Sequence, residues 1–267
     1  MSEERTPPET KTPSNPAKPS KAKTTAPSPT IETGDFVLVD LLGRTQEDNR
    51  LFETTKEDVA KKEGVFKDDE VYQPRLVVVG QGYVVPGIDE ALVGMKAGES
   101  KKLVLPPEKA FGVRDAKQVR IIPRGRLKSD EKIVRGMRIR MGTQYGIVRH
   151  VGGGRVTVDF NSPLAGHTVQ YEISVVQKLT KPQEKLEAFV RRRFAGLDPK
   201  AVAVSARGST VTVNITADVR VLLNQALPIQ KLGFTHDIET HLKDSYSKVV
   251  FVEEWAVEAA KPTTPQT

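Results

Sequence analysis

The sequence predicts an α+β protein in which an antiparallel sheet packs against one short helix. Apolar runs such as "GDFVLVDLLG" and "PRLVVVGQG" are separated by glycine and proline, as expected for strands joined by turns. The stretch "VVPGIDEALVGM" places Ile88, Leu92 and Met95 at helical spacing, with Asp89 and Glu90 in the first turn, where acids suit the helix dipole. Beyond residue 112 the chain becomes basic and β-rich, and beyond residue 180 helix and strand patterns mix.

Composition excludes several classes of protein. The 267 residues contain no cysteine, which excludes disulfides, thiolate catalysis and cysteine-ligated zinc. No window reaches the roughly 18 apolar residues that a membrane span needs. The polar start "MSEERTPPET" lacks the apolar core of a signal peptide. We therefore expect a cytoplasmic protein without membrane contact, metal or cofactor.

The first elements can be assigned in order. Residues 1–30, rich in Pro, Thr, Ser and Lys, predict a disordered tail, and structure is expected from residue 31. A strand over 34–43 is followed by "RLFETTKEDVAKKEG", a short strand and then a helix. Thr54 or Thr55 is the expected N-cap, with Glu57 or Asp58 closing a capping box. The next strands cover 74–82 and 100–112, the latter ended by Pro106-Pro107, which cannot continue a ladder.

The segment from Val113 to Phe160 holds the basic character of the chain. It carries twelve Lys and Arg against four acids, a net charge of +8 beside +7 for the whole chain. "GMRIRM", "YGIVRHV" and "GRVTVDF" alternate like short strands, and Gly152-Gly153-Gly154 predict a hairpin turn. We expect residues 113–160 to form a small β-barrel-like module. Because the strongly β-like run 161–179 follows, the module is inserted into a discontinuous first domain.

The C-terminal part, residues 181–260, predicts a separate α+β unit. It contains a helix over 182–194, a hairpin around Arg207-Gly208, a helix in "VRVLLNQAL" and a closing strand in "KVVFVEEWAV". Its pattern gives no catalytic signal, and residues 261–267 form a tail.

Three motifs in order, "VVPGIDEALVGMKAGE", "PPEKAFG" and "NSPLAG", resemble those of FKBP-type peptidyl-prolyl cis-trans isomerases over about residues 34–180. More narrowly, the chain is similar to the long archaeal class, which carries a second domain in the flap after the A-F-G motif. The resemblance implies a half-wrapped sheet around one helix, formed by residues 31–112 and 161–180. It also implies an apolar cleft in which the Val85 N–H meets the substrate, with catalysis carried by Phe52, Glu53, Val84, Val85, Ile88, Phe111, Leu164 and Tyr171.

The chain departs from the family pattern at four positions. Leu41, Glu53 and Ser162 stand where Tyr, Asp and His are usual, and Phe111 replaces the commoner Tyr. These changes remove polar contacts but keep an apolar cleft. Glu53 either orders the cleft by hydrogen bonding or is a solvated acid at a strand end.

The function that the sequence favours is a folding enzyme that acts on unfolded or nascent proline-containing polypeptides. An apolar cleft suffices for this reaction, because rotation about an X-Pro bond needs no base or nucleophile. Clients would be held on the insert by Met137, Ile139, Met141 and Ile147.

The alternative is a holdase chaperone with a weak or vestigial cleft. RNA or ribosome binding by the insert is less favoured, since Tyr145 and Phe160 are nearly alone as stacking residues. The resemblance also suggests a homodimer through the C-terminal domain.

Overall fold

The computed structural model describes residues 30–127, 132–198, 200–217 and 226–254. The expected tails lie outside these ranges, apart from Thr30. Strand pairing gives three sheets, one in each of the three parts of the chain. No helix within the described ranges is both long and apolar enough to cross a membrane.

The first sheet has five antiparallel strands around a long central β1. Its strands are β1 (Phe36–Thr45), β2 (Leu51–Thr54), β3 (Arg75–Val78), β4 (Ser100–Leu105) and β9 (Val169–Leu179). β2 and β3 follow one another along one edge of β1, and β9 lies between β1 and β4. The chain therefore returns to this sheet after the basic segment.

Where β1 pairs with β3, both faces of this sheet are largely buried, which explains the continuous apolar runs of these two strands. Successive side chains of a strand point to opposite faces. Val37 and Val39 on β1 and Val77 on β3 pack into a core with the helix of "VVPGIDEALVGM". Phe36 of β1 and Leu76 of β3 pack on the other face, against the C-terminal part of the chain.

Two short helices belong to this first unit, α1 (Glu57–Lys62) and α2 (Pro86–Leu92). α2 buries Ile88 and Leu92 against the sheet. The predicted capping of α1 is wrong, because its N-cap is Lys56 and has no side-chain cap. The Thr55 hydroxyl instead donates to Asp40 at 2.9 Å and accepts the Leu41 N–H at 3.0 Å, so it fastens β1 to the helix start.

The basic segment forms a four-stranded antiparallel sheet in the order β5-β8-β7-β6. The strands are β5 (Val119–Pro123), β6 (Arg138–Met141), β7 (Gln144–Gly152) and β8 (Arg155–Asp159), of which β5 was not predicted. The predicted glycine turn joins β7 to β8, with positive φ at Gly153 and Gly154. Within the described ranges β5 and β6 do not pair, so strand pairing gives an open sheet and not a closed barrel. Its own core is built from Ile122, Ile133, Ile139, Val148, Val156 and Val158.

The two chain segments that connect the insert to the first unit are tied to each other. Asn161 accepts the Asp115 N–H and donates to its carbonyl, both at 2.9 Å. Asp159, only 1% exposed, accepts hydrogen bonds from Asn161 and Arg149 and pairs with Arg114. Burial alone would raise the pKa of Asp159, but these partners outweigh it and lower the pKa. The carboxylate therefore stays charged and holds the junction together.

The C-terminal unit contains α3 (Pro182–Arg193), β10 (Val202–Arg207), β11 (Thr210–Ile215), α4 (Leu227–His241) and β12 (Lys248–Glu253). β10 and β11 form the predicted hairpin, and β12 pairs parallel to β11. Most of the helix predicted over 219–227, and residues 255–257 of the closing strand, lie outside the described residues. α4 was not predicted.

Candidate functional site

A hollow of about 260 Å³ opens beside the start of α2 on one face of the first sheet. Its size is close to the lower end of the range of about 300–1,000 Å³ for ligand sites. Its lining is mostly apolar and aromatic, and consists of Leu41, Glu53, Arg75, Tyr83, Val84, Val85, Ile88, Phe111 and Tyr171.

The start of α2 forms the floor of this cleft. Pro86 occupies the first turn, where its missing N–H costs nothing, and Val85 is the extended N-cap. The Val85 carbonyl accepts the Ile88 N–H at 2.9 Å. Within the described residues the Val85 N–H has no acceptor of its own. A backbone donor is therefore available at the edge of an apolar hollow.

Gly87 lets α2 lie close to the rest of the unit. A Cβ added there would lie 2.5 Å from Leu105 Cδ2 and 3.0 Å from the Lys109 carbonyl oxygen. Asp89 fixes the preceding loop, because its carboxylate accepts the N–H of Gly80 at 2.9 Å. The "PGID" stretch thus combines a helix start, a close approach and a loop anchor.

Three aromatic rings form a rigid wall. Phe52 meets Phe111 and Tyr171 edge to face, each at 5.6 Å between ring centroids. Phe52 is not among the lining residues, but it contacts two rings that are. A Cβ on Gly43 would approach Phe52 Cζ to 2.7 Å and Tyr171 Cε1 to 2.8 Å. Gly43 of β1 is therefore required for this arrangement of rings.

Glu53 orders the cleft through hydrogen bonding. Its Oε2 accepts the Tyr171 hydroxyl at 2.7 Å, and its Oε1 lies 2.5 Å from Arg75 Nη1. Burial and the Glu53 charge hold the pKa of Tyr171 far above its ordinary value, so the phenol stays protonated and donates. Of the two alternatives for Glu53, the structure has the hydrogen-bonded one.

The remaining sequence-predicted residues take different places. Leu164 is half-buried in the turn 161–166 and does not line the hollow. On the insert, Met137, Ile139 and Met141 line a groove of about 460 Å³ together with arginines. Ile139 is only 8% exposed and belongs mainly to the core of the insert. Ile147 is half-buried on β7, outside the groove.

Sequence reasoning missed two polar residues of the cleft, Arg75 and Tyr83. It also assigned Leu41 to the core, and this side chain is 1% exposed yet borders the hollow. Tyr83 shares the stretch "GYVVPG" with Val84 and Val85, which was the one local signal for it. Arg75 carries no comparable signal.

The chemistry available at the cleft is limited. No group of three or more His, Cys, Asp or Glu side chains in the described part of the chain could hold a metal ion. The cleft offers apolar walls, a free backbone donor and a fixed carboxylate. Such a site can bind an amide, turn it away from water and favour its twisted form.

Comparison with known proteins connects this geometry to a family. Residues 28–130 match the FKBP-type peptidyl-prolyl cis-trans isomerase family, and residues 120–164 match the IF domain of FKBP26. The chain is 34% identical over 146 residues to a short-type peptidyl-prolyl cis-trans isomerase of Methanocaldococcus jannaschii, covering 54% of this chain and 92% of that protein. It is 35% identical to a probable FKBP-type 16 kDa isomerase of Pseudomonas fluorescens, over 39% of this chain and 71% of that protein. It is 30% identical to the FKBP-type 16 kDa isomerase of Escherichia coli, over 39% of this chain and 74% of that protein. The chain therefore belongs to the FKBP-type peptidyl-prolyl cis-trans isomerases.

Proposed function

We propose that the cleft catalyses cis-trans rotation about X-Pro bonds in polypeptide clients, while the insert holds the unfolded chain. The observation that carries this proposal is the open apolar hollow at Val84, Val85 and Ile88, beside a free backbone donor. Family membership supports the same activity.

The physical basis is the loss of amide resonance in the transition state. Rotation about a peptide bond has a barrier of about 18–20 kcal/mol. The twisted carbonyl is less polar than the planar amide and needs water less, so a dry apolar site stabilises the twisted form more than the ground state. Lowering the barrier by about 5–8 kcal/mol would accelerate rotation roughly 10⁴–10⁶-fold. No proton transfer or covalent step is needed.

The cleft residues have distinct roles in this proposal. Ile88 and Val84 provide the apolar floor, and the Val85 N–H donates to a substrate carbonyl. Phe111 forms part of the wall and packs edge to face against Phe52. Glu53 fixes the hydroxyl of Tyr171, so this ring keeps one orientation.

The test is a direct isomerisation assay on a short Ala-Leu-Pro-Phe-type peptide. We expect turnover by the intact chain and a fall of about tenfold or more in kcat/KM for Phe111→Ala and Ile88→Ala. Val104→Ala is the control, since Val104 is 60% exposed on β4 and outside the cleft. Turnover no faster than buffer would favour the alternative, a holdase with a vestigial cleft.

For the insert we propose the holding role and place this chain in the long archaeal class with a C-terminal extension. The match of residues 120–164 to the IF domain supports this. The groove at Met137 and Met141 supports it too, because flexible thioether side chains adapt to varied partners. The insert carries further exposed apolar residues, with Ile121 65% and Val134 51% exposed.

The holding role predicts a split between two substrates. Met137→Ser combined with Met141→Ser should leave turnover of short peptides unchanged and slow catalysed refolding of a proline-limited protein, by about fivefold or more. Val104→Ser is the matched control, an exposed apolar residue away from the groove. If the methionine double variant and Val104→Ser refolded the protein at the same rate and turned over the peptide at the same rate, the holding role would be wrong.

RNA binding has less support than client binding. The face of Tyr145 is already covered by Arg138, at 4.4 Å from the ring centroid, and Phe160 lies under Arg120 at 5.1 Å. Each arginine covers one face of its ring, so less aromatic surface is left to stack on bases. A homodimer through the C-terminal unit stays a proposal, supported by Ile229 and Leu232 of α4, which are 70% and 72% exposed. Sedimentation at micromolar concentration tests it, and a monomer would contradict it.

A further inference from the structure

One stripe of α4 faces both α3 and the first unit. Gly233, Asp237 and His241 are spaced four residues apart and therefore share a helix face. A Cβ on Gly233 would lie 2.8 Å from Arg193 Nη1, so the glycine allows α3 and α4 to approach closely. The stripe is thus held against α3 by its first residue.

The middle residue of the stripe, Asp237, fixes two arginines of α3. Asp237 is 3% exposed and accepts hydrogen bonds from Arg193 at 2.6 and 2.7 Å and from Arg192 at 3.1 Å. A buried carboxylate with this set of partners has one favoured geometry. Arg192, held in this way, lies over the ring of Tyr83 at 4.2 Å from its centroid.

The last residue of the stripe, His241, contacts Tyr83 directly. Its Nε2 lies 2.9 Å from the Tyr83 hydroxyl. The imidazole stacks on Phe189 of α3 at 5.9 Å and meets the edge of Phe36 of β1 at 6.2 Å, which fixes its orientation. Burial lowers the pKa of His241, and burial with the Asp237 charge raises the pKa of Tyr83 to about 12. Both groups are therefore neutral near pH 7.

Tyr83 connects this cluster to the cleft. It lines the hollow, and it packs against the core of the first unit as well as the core shared with the C-terminal unit. Among the residues lining the hollow, it is the one whose hydroxyl is hydrogen-bonded to the C-terminal unit in the described structure. We propose that His241 is a positioning residue for prolyl isomerisation, holding Tyr83 in the cleft wall so that the C-terminal unit tunes which side chains flanking proline are accepted. This inference rests on the proposed function.

The proposal assigns the C-terminal unit a role at the site that its sequence pattern does not suggest. Tyr83 lines the hollow together with Val84 and Val85, so movement of its ring changes the width of the hollow. Arg192 covers one side of the ring and His241 holds the hydroxyl, which restricts rotation of the side chain. Loss of either contact should change selectivity more than it changes the chemistry.

The experiment measures kcat and KM for a series of short peptides that differ only in the residue before proline: Leu, Phe, Glu or Lys. Tyr83→Phe keeps the ring and removes the hydroxyl, and His241→Ala removes its partner. We expect both to change the kcat/KM ratios across the series in the same pattern, by about threefold or more, mainly through KM. The double variant should show no further change, as expected when two residues act through one contact.

Two further variants separate positioning from stability. His241→Gln offers an amide close to the position of Nε2 and should restore most of the wild-type ratios. His236→Ala is the matched control, an exposed histidine on the same helix, and should leave the ratios unchanged. A purely structural role would lower the thermal midpoint and reduce activity toward all four peptides equally.

The outcomes distinguish the inference from the proposed function. Wild-type ratios in Tyr83→Phe and His241→Ala, or additive effects in the double variant, would overturn the positioning role while the isomerase stands. Turnover by the wild-type chain no faster than buffer would overturn the proposed function and the positioning role with it.

Discussion

Replacing Gly43 by Ala is the sharpest test of how the cleft wall is built. Carbon atoms in contact prefer a separation of about 3.5–4.0 Å. The added Cβ would lie 2.7 Å from Phe52 Cζ and 2.8 Å from Tyr171 Cε1, so each ring must retreat by roughly 0.7 Å or more. Overpacking of this kind costs about 1–3 kcal/mol, and each loosened edge-to-face pair about 0.5–1.5 kcal/mol. We expect the free energy of unfolding to fall by about 2–4 kcal/mol.

The same movement should impair the cleft. Displacing Tyr171 disturbs its 2.7 Å hydrogen bond to Glu53, and displacing Phe52 removes the support of Phe111. We expect kcat/KM for a short prolyl peptide to fall about tenfold, equivalent to about 1.4 kcal/mol.

Urea unfolding and the peptide assay measure the two effects in parallel. Gly125→Ala is the matched control, because a Cβ there meets no atom within 4 Å and the backbone φ is not positive. Wild-type stability and turnover in Gly43→Ala would refute the account of the wall. So would an equal loss in both variants.

Three further perturbations have defined outcomes. Gly87→Ala should lower stability by about 1–2 kcal/mol in urea unfolding, because its Cβ would lie 2.5 Å from Leu105 Cδ2, and that clash outweighs a helix-propensity gain of up to about 1 kcal/mol. A variant as stable as wild type would contradict this. Tyr171→Phe should cost about 1–2 kcal/mol of stability yet keep kcat/KM within about tenfold, since the ring remains and Arg75 still pairs with Glu53; a larger loss would make the hydroxyl itself catalytic. Because the pKa of His241 lies below its usual 6.5 when folded, the unfolded chain takes up a proton that the folded chain resists. The contribution of neutral His241 to the free energy of unfolding is therefore complete above about pH 6.5 and is lost as the pH falls from there through the folded pKa. The free energy of unfolding of His241→Gln should therefore decline less steeply below about pH 6.5 than that of the wild type.

The strands of the first sheet were predictable because their signals are local. β1 and β3 are apolar on both faces, and glycine and proline mark their ends. The start of α2 was predictable for the same reason, since spacing and first-turn acids are contained in twelve residues. Structure that depends on contacts within one short stretch can be predicted from the residues of that stretch.

Other features depend on distant partners. Threonine is a residue type that favours the N-cap position. The Thr55 hydroxyl, however, is hydrogen-bonded to Asp40 and to the Leu41 N–H of β1 and does not cap the helix. β5 escaped prediction because Ile121 faces outward at 65% exposure and breaks the expected alternation. α4 carries exposed Ile229 and buries Asp237, so it has no single apolar stripe to recognise.

The site shows the same division. Val84, Val85 and Ile88 lie in one motif and were found together. The role of Tyr83 depends on His241, which lies 158 residues further along the chain. Arg75 reaches Glu53 because β2 and β3 both pair with β1 along the same edge, and this proximity cannot be seen from the spacing of the two residues in the sequence.

The junction at Asp115 and Asn161 has a consequence for protein engineering. Because the Asn161 side chain of the outgoing segment bonds to the Asp115 backbone of the incoming segment, the insert is joined to the first unit at a single junction. A different binding module could replace the insert at this junction through two chain connections, and the first sheet and α2 would stay unchanged.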